Sequence, residues 1–352
     1  MNTQIINEDI EKIISAELPW QFFFGKTILI TGANGFLPAY MLRSLLFLNK
    51  KYSQVSPIKV IALVRNYENA KHQLADVLED KNLSFLIQDV CDKIDIIGDV
   101  NYIIHAASQA SPKFYGIDPV GTLKANVLGT LNLLELARNK KSEQFFYFST
   151  GDVYGHFSSD VFYEENKFGS IDPLLVHSCY GESKRMAENI CISYMHQYGI
   201  PVKIARIFHV YGPGMKLNDG RSFADFVSNV VNNEDIVLNS DGSAVRAFCY
   251  LTDATEGFFR IILNGKPGNA YNVGNENNCI SIFELANLIV SIVPEKRLSV
   301  KRKDFKPNSE YLQSPYSFGA PNCSKLKNLN WKPSISIKDG FLRTINFYIN
   351  EY

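Results

Sequence analysis

The sequence lacks the features that mark a metal-binding, disulfide-stabilised or membrane protein. Its six cysteines are scattered, with no Cys-x-x-Cys pair and no cluster with histidine, so we expect reduced thiols rather than a metal site or disulfides. The N-terminal segment has acidic residues and no uninterrupted apolar run, which argues against a signal peptide or a transmembrane span. We therefore expect a cytoplasmic protein with no membrane insertion.

The sequence also has no excess of positive or of negative charge. Lysine plus arginine and aspartate plus glutamate both number 36, so the formal net charge is zero. Such a balance gives no indication of a nucleic-acid partner or an anionic membrane surface. An anionic small ligand would have to be bound by local positive groups.

The chain does contain ample material for a large core, since 46% of its 352 residues are hydrophobic. Apolar runs that resemble buried strands alternate with helical periodicity, and these runs occupy 26–31, 59–65, 83–90, 102–108, 144–150 and 202–212. Continuous apolar strands separated by helices predict an α/β fold, a Rossmann-type doubly wound parallel sheet. Ligands of such sheets bind at the carboxyl ends of the strands.

We divide the chain into three parts. Residues 1–24 form an N-terminal helical strap, with an amphipathic helix expected over 7–19. Residues 25–212 form the dinucleotide-binding domain. Residues 213–352, with shorter strands and helices, form a smaller mixed α/β lobe that mainly binds the substrate, although some elements cross between the lobes.

A glycine-rich turn follows the first predicted strand and opens a helix, in the sequence Thr31-Gly-Ala-Asn-Gly-Phe-Leu-Pro38. Gly32 and Gly35 allow a tight turn and close backbone approach, while the free N–H groups of the helix favour a pyrophosphate. Pro38 is compatible with the first helical turn. The position of the turn between strand and helix favours a dinucleotide cofactor.

The second strand indicates which dinucleotide binds. Sites for NAD usually end this strand with an acidic residue for the ribose 2′-hydroxyl. Here Arg65 stands at the strand end, and a guanidinium matches a 2′-phosphate, so NADP(H) is preferred and NAD(H) remains possible. Asp89 and Val90 could meet the adenine, and the small residues 106–108 would let the cofactor lie against the backbone.

Tyr180 and Lys184 lie four residues apart on a predicted helix from 178 to 198, and therefore on one face of it. The pKa of a free tyrosine is about 10, and a nearby positive charge lowers it. By itself the pair would equally suit an exposed helix face. Together with the glycine turn and the serine-threonine end of the strand 144–150, it indicates an acid/base site.

These motifs come in the order seen in the extended short-chain dehydrogenase/reductases, that is TGANGFLP, HAAS, Asn126, FSTGDVYG, Tyr180-x-x-x-Lys184 and RIFHVYGPGM. The chain resembles the NAD-dependent epimerase/dehydratase family over roughly 25–345. It is similar in particular to the nucleotide-sugar branch, with UDP-glucuronate decarboxylase, UDP-galactose 4-epimerase, dTDP-glucose 4,6-dehydratase and the 4-ketosugar reductases.

The resemblance implies a role for each matching residue. Tyr180 would be the acid/base at the sugar C4 oxygen, Thr150 would bind the same oxygen, and Lys184 would hold the nicotinamide ribose and lower the Tyr180 pKa. Asp152 would complete the catalytic set, although capping of local backbone is an equal alternative. The residues implied to bind the cofactor are Gly32, Asn34, Gly35, Phe36, Leu37, Arg65, Asp89, Val90, Ala106, Ala107, Ser108, Asn126, Ser149, Tyr180, Lys184 and Ile207. Those implied to bind the substrate are Ser108, Thr150, His209 and Arg246.

The segment Thr150-Gly151-Asp152 bears on the reaction. Dehydratases and decarboxylases of this branch carry Thr-Asp-Glu or Thr-Ser-Glu there, and dehydration needs both carboxylates within reach. Gly151 removes one side chain and Asp152 shortens the other, which disfavours a dehydratase. A decarboxylase and a 4-epimerase need less and remain open.

Because Arg65 favours NADPH, we predict a reductase of a nucleotide-linked 4-keto-6-deoxyhexose, such as dTDP-4-keto-6-deoxyglucose, for surface polysaccharide. The alternatives are UDP-glucuronate decarboxylase or a 4-epimerase with bound NAD, and more remotely a non-catalytic NADP-binding module. The resemblance also implies a homodimer through the helices around 123–138 and 183–198. Sugar contacts are expected in the irregular stretches 109–115 and 170–179.

Overall fold

The structure, a computed structural model, describes residues 3–52, 56–157, 161–302 and 318–349. Its strands are β1 Thr27–Thr31, β2 Lys59–Val64, β3 Leu83–Ile87, β4 Tyr102–His105, β5 Gln144–Thr150, β6 Val202–Ile207, β7 His209–Tyr211, β8 Ile236–Leu238, β9 Val245–Tyr250, β10 Asn269–Val273, β11 Cys279–Ser281, β12 Val300–Arg302 and β13 Phe318–Gly319. Its α-helices are α1 Thr3–Ile14, α2 Phe36–Tyr52, α3 Tyr67–Gln73, α4 Pro112–Ile117, α5 Pro119–Lys140, α6 Cys179–Tyr198, α7 Ser222–Val231, α8 Leu251–Asn264, α9 Ile282–Ile292, α10 Ser324–Lys327 and α11 Ile337–Ile349.

Seven parallel strands form the main sheet, in the order β10-β6-β5-β4-β1-β2-β3. The strand order reverses direction between β1 and β4, which leaves a crevice at the carboxyl ends of the strands. Every residue of β5 is buried, as the apolar run predicts for a central parallel strand. The predicted Rossmann-type α/β fold is confirmed.

Helices cover both faces of this sheet, and successive strand residues point to opposite faces. Ile28 and Ile30 pack into the core that includes α1, α2 and α8, whereas Leu29 between them packs into the core that includes α5 and α6. The long helix α5 lies against α6, which carries Tyr180. The site helix is therefore supported by a neighbouring helix on the same face of the sheet.

The run 202–212, expected as one strand, is two strands. β6 ends at Ile207, and β7 begins at His209 and pairs with β9 in a second sheet that also contains β11 and β13. Phe208 lies between the two strands, and its backbone N–H donates to the carbonyl of Val273. The chain therefore changes sheets at Phe208, a change that an unbroken apolar run does not reveal.

One element of residues 213–352 crosses to the other lobe, since the segment 269–273 is strand β10 at the edge of the main sheet. The N-terminal helix, expected over 7–19, spans Thr3–Ile14, and a separate 3-10 turn follows at Trp20–Phe23. Pro19 directly precedes this turn, and it disfavours helical conformation at Leu18, so the helix does not continue to 19.

Asp9 joins this first helix to the last one. It is 2% exposed, accepts hydrogen bonds from the Tyr250 hydroxyl at 2.9 Å and from Arg343 of α11 at 2.8 Å, and thus links both ends of the described chain to β9. Nowhere in the described ranges is a helix both long enough and apolar enough to cross a membrane.

Candidate active site

A cleft of about 1620 Å³ opens at the carboxyl ends of β1, β4, β5 and β6. Most of the predicted site residues line it, namely Gly32, Gly35, Phe36, Leu37, Ala106, Ala107, Ser108, Ser149, Thr150, Asp152, Tyr180, Lys184, Ile207, His209 and Arg246. The predicted residues outside the lining are Asn34, Arg65, Asp89, Val90 and Asn126. In the described part of the chain, no group of His, Cys, Asp and Glu side chains is arranged to hold a metal ion.

The glycine turn has the geometry of a dinucleotide cradle. Gly32 has φ +61°, in the left-handed region that favours glycine, and a Cβ there would lie 3.0 Å from the Cα of Ala107. The Gly35 N–H donates to the Gly32 carbonyl at 2.7 Å, and α2 begins at the next residue. A larger residue at Gly32 would close the space in which a pyrophosphate approaches the backbone.

Thr31, at the end of β1, supports the opposite side of this cradle. Its hydroxyl oxygen accepts from the N–H groups of Ala106 at 3.2 Å and Ala107 at 3.0 Å. Its own proton is then available for His105 Nδ1, 2.9 Å away, which assigns the ring proton to Nε2. Burial holds the pKa of His105 well below its ordinary value, and the charge of Lys184 adds to this effect. The backbone at 106–107 is therefore fixed by a neutral, buried pair.

Tyr180 and Lys184 lie side by side on α6. The Lys184 ammonium is 5.8 Å from the centre of the Tyr180 ring, and it donates to the Phe148 carbonyl at 2.7 Å. Burial lowers the pKa of Lys184 to about 7, against the opposing charge of Glu188. The lysine is thus close to neutrality before any anionic ligand binds.

Tyr180 itself is held in its protonated form. Burial raises the pKa of its phenol, and the nearby carboxylate of Asp152 raises it further. The charge of Arg221 and a hydrogen bond with Thr150 act in the opposite direction but are smaller. In the structure as it stands, the tyrosine is an acid with a proton to give.

The segment after β5 forms a tight 3-10 turn at Gly151–Tyr154. The Thr150 hydroxyl caps it by accepting from the Asp152 N–H at 3.2 Å. A Cβ at Gly151 would lie 2.8 Å from the ring of Phe208, so this ring occupies the place of a side chain at 151. The absence of a second carboxylate is thus built into the packing.

Asp152 is buried in the cleft wall. Burial raises its pKa, and the positive charges that oppose this are, in decreasing order, those of His177, Arg221 and Arg246. Asp152, His177, Arg221 and Arg246 all line the cleft that holds Tyr180. The sequence analysis assigned Arg246 and Asp152 but not His177 or Arg221.

Ser149 precedes Thr150 at the end of β5, and its side chain is hydrogen-bonded to α6. Its hydroxyl donates to Glu188 at 2.5 Å, and Arg206 of β6 binds both oxygens of the same carboxylate at 3.0 and 2.7 Å. Glu188 stands one turn after Lys184 on α6. This ion pair therefore ties the helix of Tyr180 and Lys184 to β6, and the Ser149 hydrogen bond ties the same helix to β5, the strand of Thr150.

Two buried polar groups of the lining extend towards the substrate end of the cleft. Arg246 of β9 is 7% exposed, and its Nη1 donates to the Val245 carbonyl at 2.8 Å. Burial lowers the pKa of His209 to about 3, with Arg246 and Arg221 adding to the effect, so the ring is neutral. Its Nδ1 has no partner in the structure and is available to a ligand.

The predicted residues outside the lining lie around the cofactor end. Arg65 is 3.7 Å from the Asp89 carboxylate, and both side chains are more than a third exposed. Partial burial raises the pKa of Asp89. Hydrogen bonds from Cys91 and the charge of Arg65 together have a larger effect, so the pKa is lowered overall. Asn126 lies beneath α6, where it donates to Ser183 at 2.9 Å, while its Oδ1 is buried without a partner.

Two residues of the irregular stretches enter the site. Tyr115 of α4 stacks on the Tyr180 ring, with centroids 4.9 Å apart and planes at 16°. The imidazole of His177, in the 3-10 turn Val176–Ser178, packs edge-on against the Tyr115 ring, with the ring centroids 5.4 Å apart. The sequence analysis expected sugar contacts in these stretches, but no spacing pattern distinguished these two residues from their neighbours.

The residues present fit a dinucleotide. A Cβ at Gly32 would collide with the backbone of Ala107, and the Ser108 hydroxyl in the cleft lining lacks a partner. The free N–H groups at the start of α2 face the same cleft. A ligand with a diphosphate and ribose hydroxyls would satisfy such groups.

Comparisons with known proteins agree with this geometry. Residues 28–274 match the family described as NAD dependent epimerase/dehydratase family. UDP-glucuronic acid decarboxylase 1 of Arabidopsis thaliana is 32% identical over 324 residues, which are 92% of this chain and 70% of that protein. UDP-glucuronic acid decarboxylase 6 of the same plant is 31% identical over 318 residues, with 89% of this chain and 86% of that protein covered.

A solved structure adds the fold-level comparison. The dTDP-glucose 4,6-dehydratase of Streptomyces venezuelae, solved as a double mutant with NAD bound, superposes with a TM-score of 0.76 at 25% identity. The match covers 91% of this chain and 96% of that one. This chain belongs to the NAD-dependent epimerase/dehydratase family, in the nucleotide-sugar branch of the extended short-chain dehydrogenase/reductases.

Proposed function

We propose that this enzyme exchanges a hydride at C4 of a nucleoside diphosphate sugar, with Tyr180 as the acid/base at the C4 oxygen. The observation that carries the proposal is the meeting of Tyr180, Thr150 and Lys184 in the cleft that the glycine turn also lines. Thr150 donates to or accepts from the same sugar oxygen, and its bond with Tyr180 aligns the proton path.

Lys184 supplies the charge that makes Tyr180 act as a base when needed. Its pKa of about 7 in the structure reflects burial, and a bound dinucleotide diphosphate would raise it by adding negative charge. A protonated Lys184 close to Tyr180 favours the phenolate. When bound, the nicotinamide ring takes the hydride from C4 and returns it.

The smaller lobe, residues 213–352, is proposed to hold the nucleotide part of the substrate. Arg246 and Arg221 give this end of the cleft the local positive charge that the neutral chain otherwise lacks. A guanidinium binds two phosphate oxygens at once, so either residue suits a diphosphate. His209, neutral and with a free Nδ1, would accept or donate a hydrogen bond rather than contribute charge.

The preference for NADP(H), and with it the reductase prediction, depended on Arg65. In the structure the Asp89 carboxylate lies 3.7 Å from this arginine. A 2′-phosphate at the same edge would face that carboxylate as well as the guanidinium, and like charges so close repel. We therefore favour NAD, which is regenerated within each catalytic cycle, and a reaction that consumes no external reductant.

Among such reactions we favour decarboxylation of a nucleotide-linked uronate over 4-epimerisation. The relatives at 30% identity or more include several UDP-glucuronic acid decarboxylases that cover most of this chain. The cleft lining supports the same choice, because Arg221 and Arg246 both belong to it. A guanidinium binds a carboxylate through two hydrogen bonds, which suits a sugar that carries its own carboxylate.

A product assay decides between these reactions. The purified protein is freed of nucleotide, loaded with NAD, and given UDP-glucuronate, UDP-glucose or UDP-galactose in separate reactions. Release of carbon dioxide with formation of a UDP-pentose from UDP-glucuronate is expected, with no net change in nicotinamide redox state. Tyr180→Phe should abolish the reaction, whereas Tyr198→Phe at the end of the same helix should not.

The same assay also tests the alternative functions. Stoichiometric oxidation of NADPH with dTDP-4-keto-6-deoxyglucose, and none with UDP-glucuronate, would restore the reductase. Interconversion of UDP-glucose and UDP-galactose without loss of carbon dioxide would establish an epimerase. Binding of NADP with no turnover of any of these sugars would support a binding module.

We also propose a homodimer through α5 and α6. These two helices pack on each other, and on them Val120, Leu123, Leu128 and Met186 are exposed apolar side chains. Apolar residues at such positions are usually covered in the assembled protein. Light scattering should give twice the chain mass, and Leu128→Lys combined with Met186→Lys should halve it.

A further inference from the structure

His177 packs against Tyr115, the residue that stacks on the catalytic tyrosine, although no sequence motif marks it. The 3-10 turn that carries it is fixed by the Ser178 hydroxyl, which donates to the Asp172 carbonyl at 2.6 Å. Its imidazole ring packs edge-on against Tyr115 at 5.4 Å, and Tyr115 in turn stacks on Tyr180 at 4.9 Å. Tyr115 therefore lies between the imidazole and the phenol and keeps the two rings in fixed relation.

Asp152 completes the arrangement. It lines the same cleft as His177 and Tyr180, and the charge of His177 acts on it more strongly than that of Arg221 or Arg246. Asp152 also acts on the phenols of Tyr180 and Tyr115. The imidazole and the carboxyl thus both line the cleft that holds Tyr180.

The chemistry of the proposed reaction needs an acid besides Tyr180. Once C4 of a uronate is a ketone, the C5–C6 bond breaks, carbon dioxide leaves, and the electron pair passes into a C4–C5 enolate. C5 then needs a proton before the C4 ketone is reduced again. Tyr180 is engaged at the C4 oxygen, so the proton for C5 has to come from another group.

We infer that His177 is that group, a second general acid whose proton goes to C5 of the enolate while Tyr115 holds the imidazole in place. The C5–H bond forms as the N–H bond of the imidazolium breaks, and the enolate electrons return to C5. The ring regains its proton from water, to which the half-buried side chain has access. Arg221 and Arg246 suit this step less, because a guanidinium does not release its proton in this pH range.

This inference rests on the proposed function for the identity of the enolate, but its test does not. The wild-type protein, His177→Gln and His196→Gln are each incubated in D₂O with NAD and UDP-glucuronate. His196 is an exposed histidine on α6, away from the cleft lining, and serves as the matched control. Product formation, deuterium at C5 and transient nicotinamide reduction are followed together.

Three results are expected. The wild type and His196→Gln place one deuterium at C5 of the product. Turnover by His177→Gln falls by about 10²-fold, in the range of a lost general acid. The first oxidation still occurs in that variant, so reduced nicotinamide and the unprotonated intermediate accumulate, and added imidazole restores turnover in His177→Ala.

Unchanged turnover of His177→Gln would overturn the inference, as would a variant that loses nucleotide-sugar binding together with the first oxidation. Loss of product formation in Asp152→Asn but not in His177→Gln would assign the proton to Asp152 instead. If the wild type releases no carbon dioxide, the proposed function fails separately. The test then uses a nucleotide-linked 4-keto-6-deoxyhexose and follows the exchange of C5–H for deuterium. Exchange by the wild type that disappears in His177→Gln supports the inference. Exchange that persists in this variant, or that never occurs in the wild type, refutes it.

Discussion

Tyr115 lies flat on the ring of Tyr180, with the ring centres 4.9 Å apart and the planes inclined by 16°. Tyr115 is 3% exposed, and its hydroxyl donates to the Ala110 carbonyl at 3.1 Å, which fixes the ring from behind. The catalytic phenol is thus oriented by a residue from α4, far from it along the chain.

This stacking predicts the effect of removing the ring. Tyr115→Leu should lower kcat roughly ten- to a hundredfold, because a small displacement of the acid/base group costs rate out of proportion to its size. Tyr115→Phe keeps the stack and should retain most activity. The control is Tyr52→Leu, at an exposed site outside the cleft lining. Equal loss of kcat in Tyr115→Phe would assign the effect to the hydroxyl rather than to the ring.

Gly151 predicts an effect on stability. A serine there would bring its Cβ to 2.8 Å from the Phe208 ring, inside normal contact distance. We expect Gly151→Ser to reduce the free energy of unfolding by about 1–3 kcal/mol, the usual range for an overpacked site, measured by urea denaturation. Phe208→Leu in the same chain should recover part of this loss. If Gly151→Ser is as stable as the wild type, Phe208 does not fix the glycine.

Asp89 predicts the choice of dinucleotide. Its carboxylate, 3.7 Å from Arg65, would repel a 2′-phosphate, so Asp89→Asn should bind NADP about tenfold more tightly than the wild type. The double variant Asp89→Asn with Arg65→Ala should lose this gain in NADP affinity. Fluorescence titration of the purified variants with NAD and NADP measures both constants. Tighter binding of NADP than of NAD by the wild type would contradict the assignment of NAD.

Asp9 predicts how stability depends on pH. Burial raises its pKa from 3.8 to about 6, although Arg343 and Tyr250 oppose the shift. Since the folded pKa is the higher one, the contribution of Asp9 to stability is complete below pH 3.8 and is lost as the pH rises through 6.

The comparison with Asp9→Asn isolates this contribution. Between pH 4 and pH 7, the unfolding free energy of the wild type should fall by up to about 3 kcal/mol relative to that of the variant. Asp95→Asn, at an exposed site, is the control and should show no such trend. A constant difference across this range would mean that Asp9 is ionised throughout.

Patterns confined to one segment predicted the elements of the structure well. The apolar run 144–150 gave a strand whose residues are all buried, and α6, at Cys179–Tyr198, occupies the segment 178–198 that was predicted as a helix. Such elements are local, because helix and strand periodicities are properties of a few successive residues. The run 202–212 is the exception, since the departure of β7 towards β9 depends on a strand some forty residues later.

The site divides in the same way. The glycine turn and the pair Tyr180 and Lys184 each belong to one segment, so their spacing alone brought them to attention. Arg65 was interpreted without Asp89, which comes from another strand end and changes what Arg65 can bind. His177 and Arg221 were missed because nothing in their own segments distinguishes them.

By itself, the sequence determined the parallel sheet, the phosphate-binding turn and the helix that presents a tyrosine and a lysine on one face. The tertiary structure alone decided that Tyr115 stacks on Tyr180, that Phe208 takes the place of a side chain at 151, and that His177 packs against Tyr115. The physical reason is that the first set follows from backbone periodicity and glycine stereochemistry. The second set joins segments distant in the chain, and their contact depends on how the whole core packs.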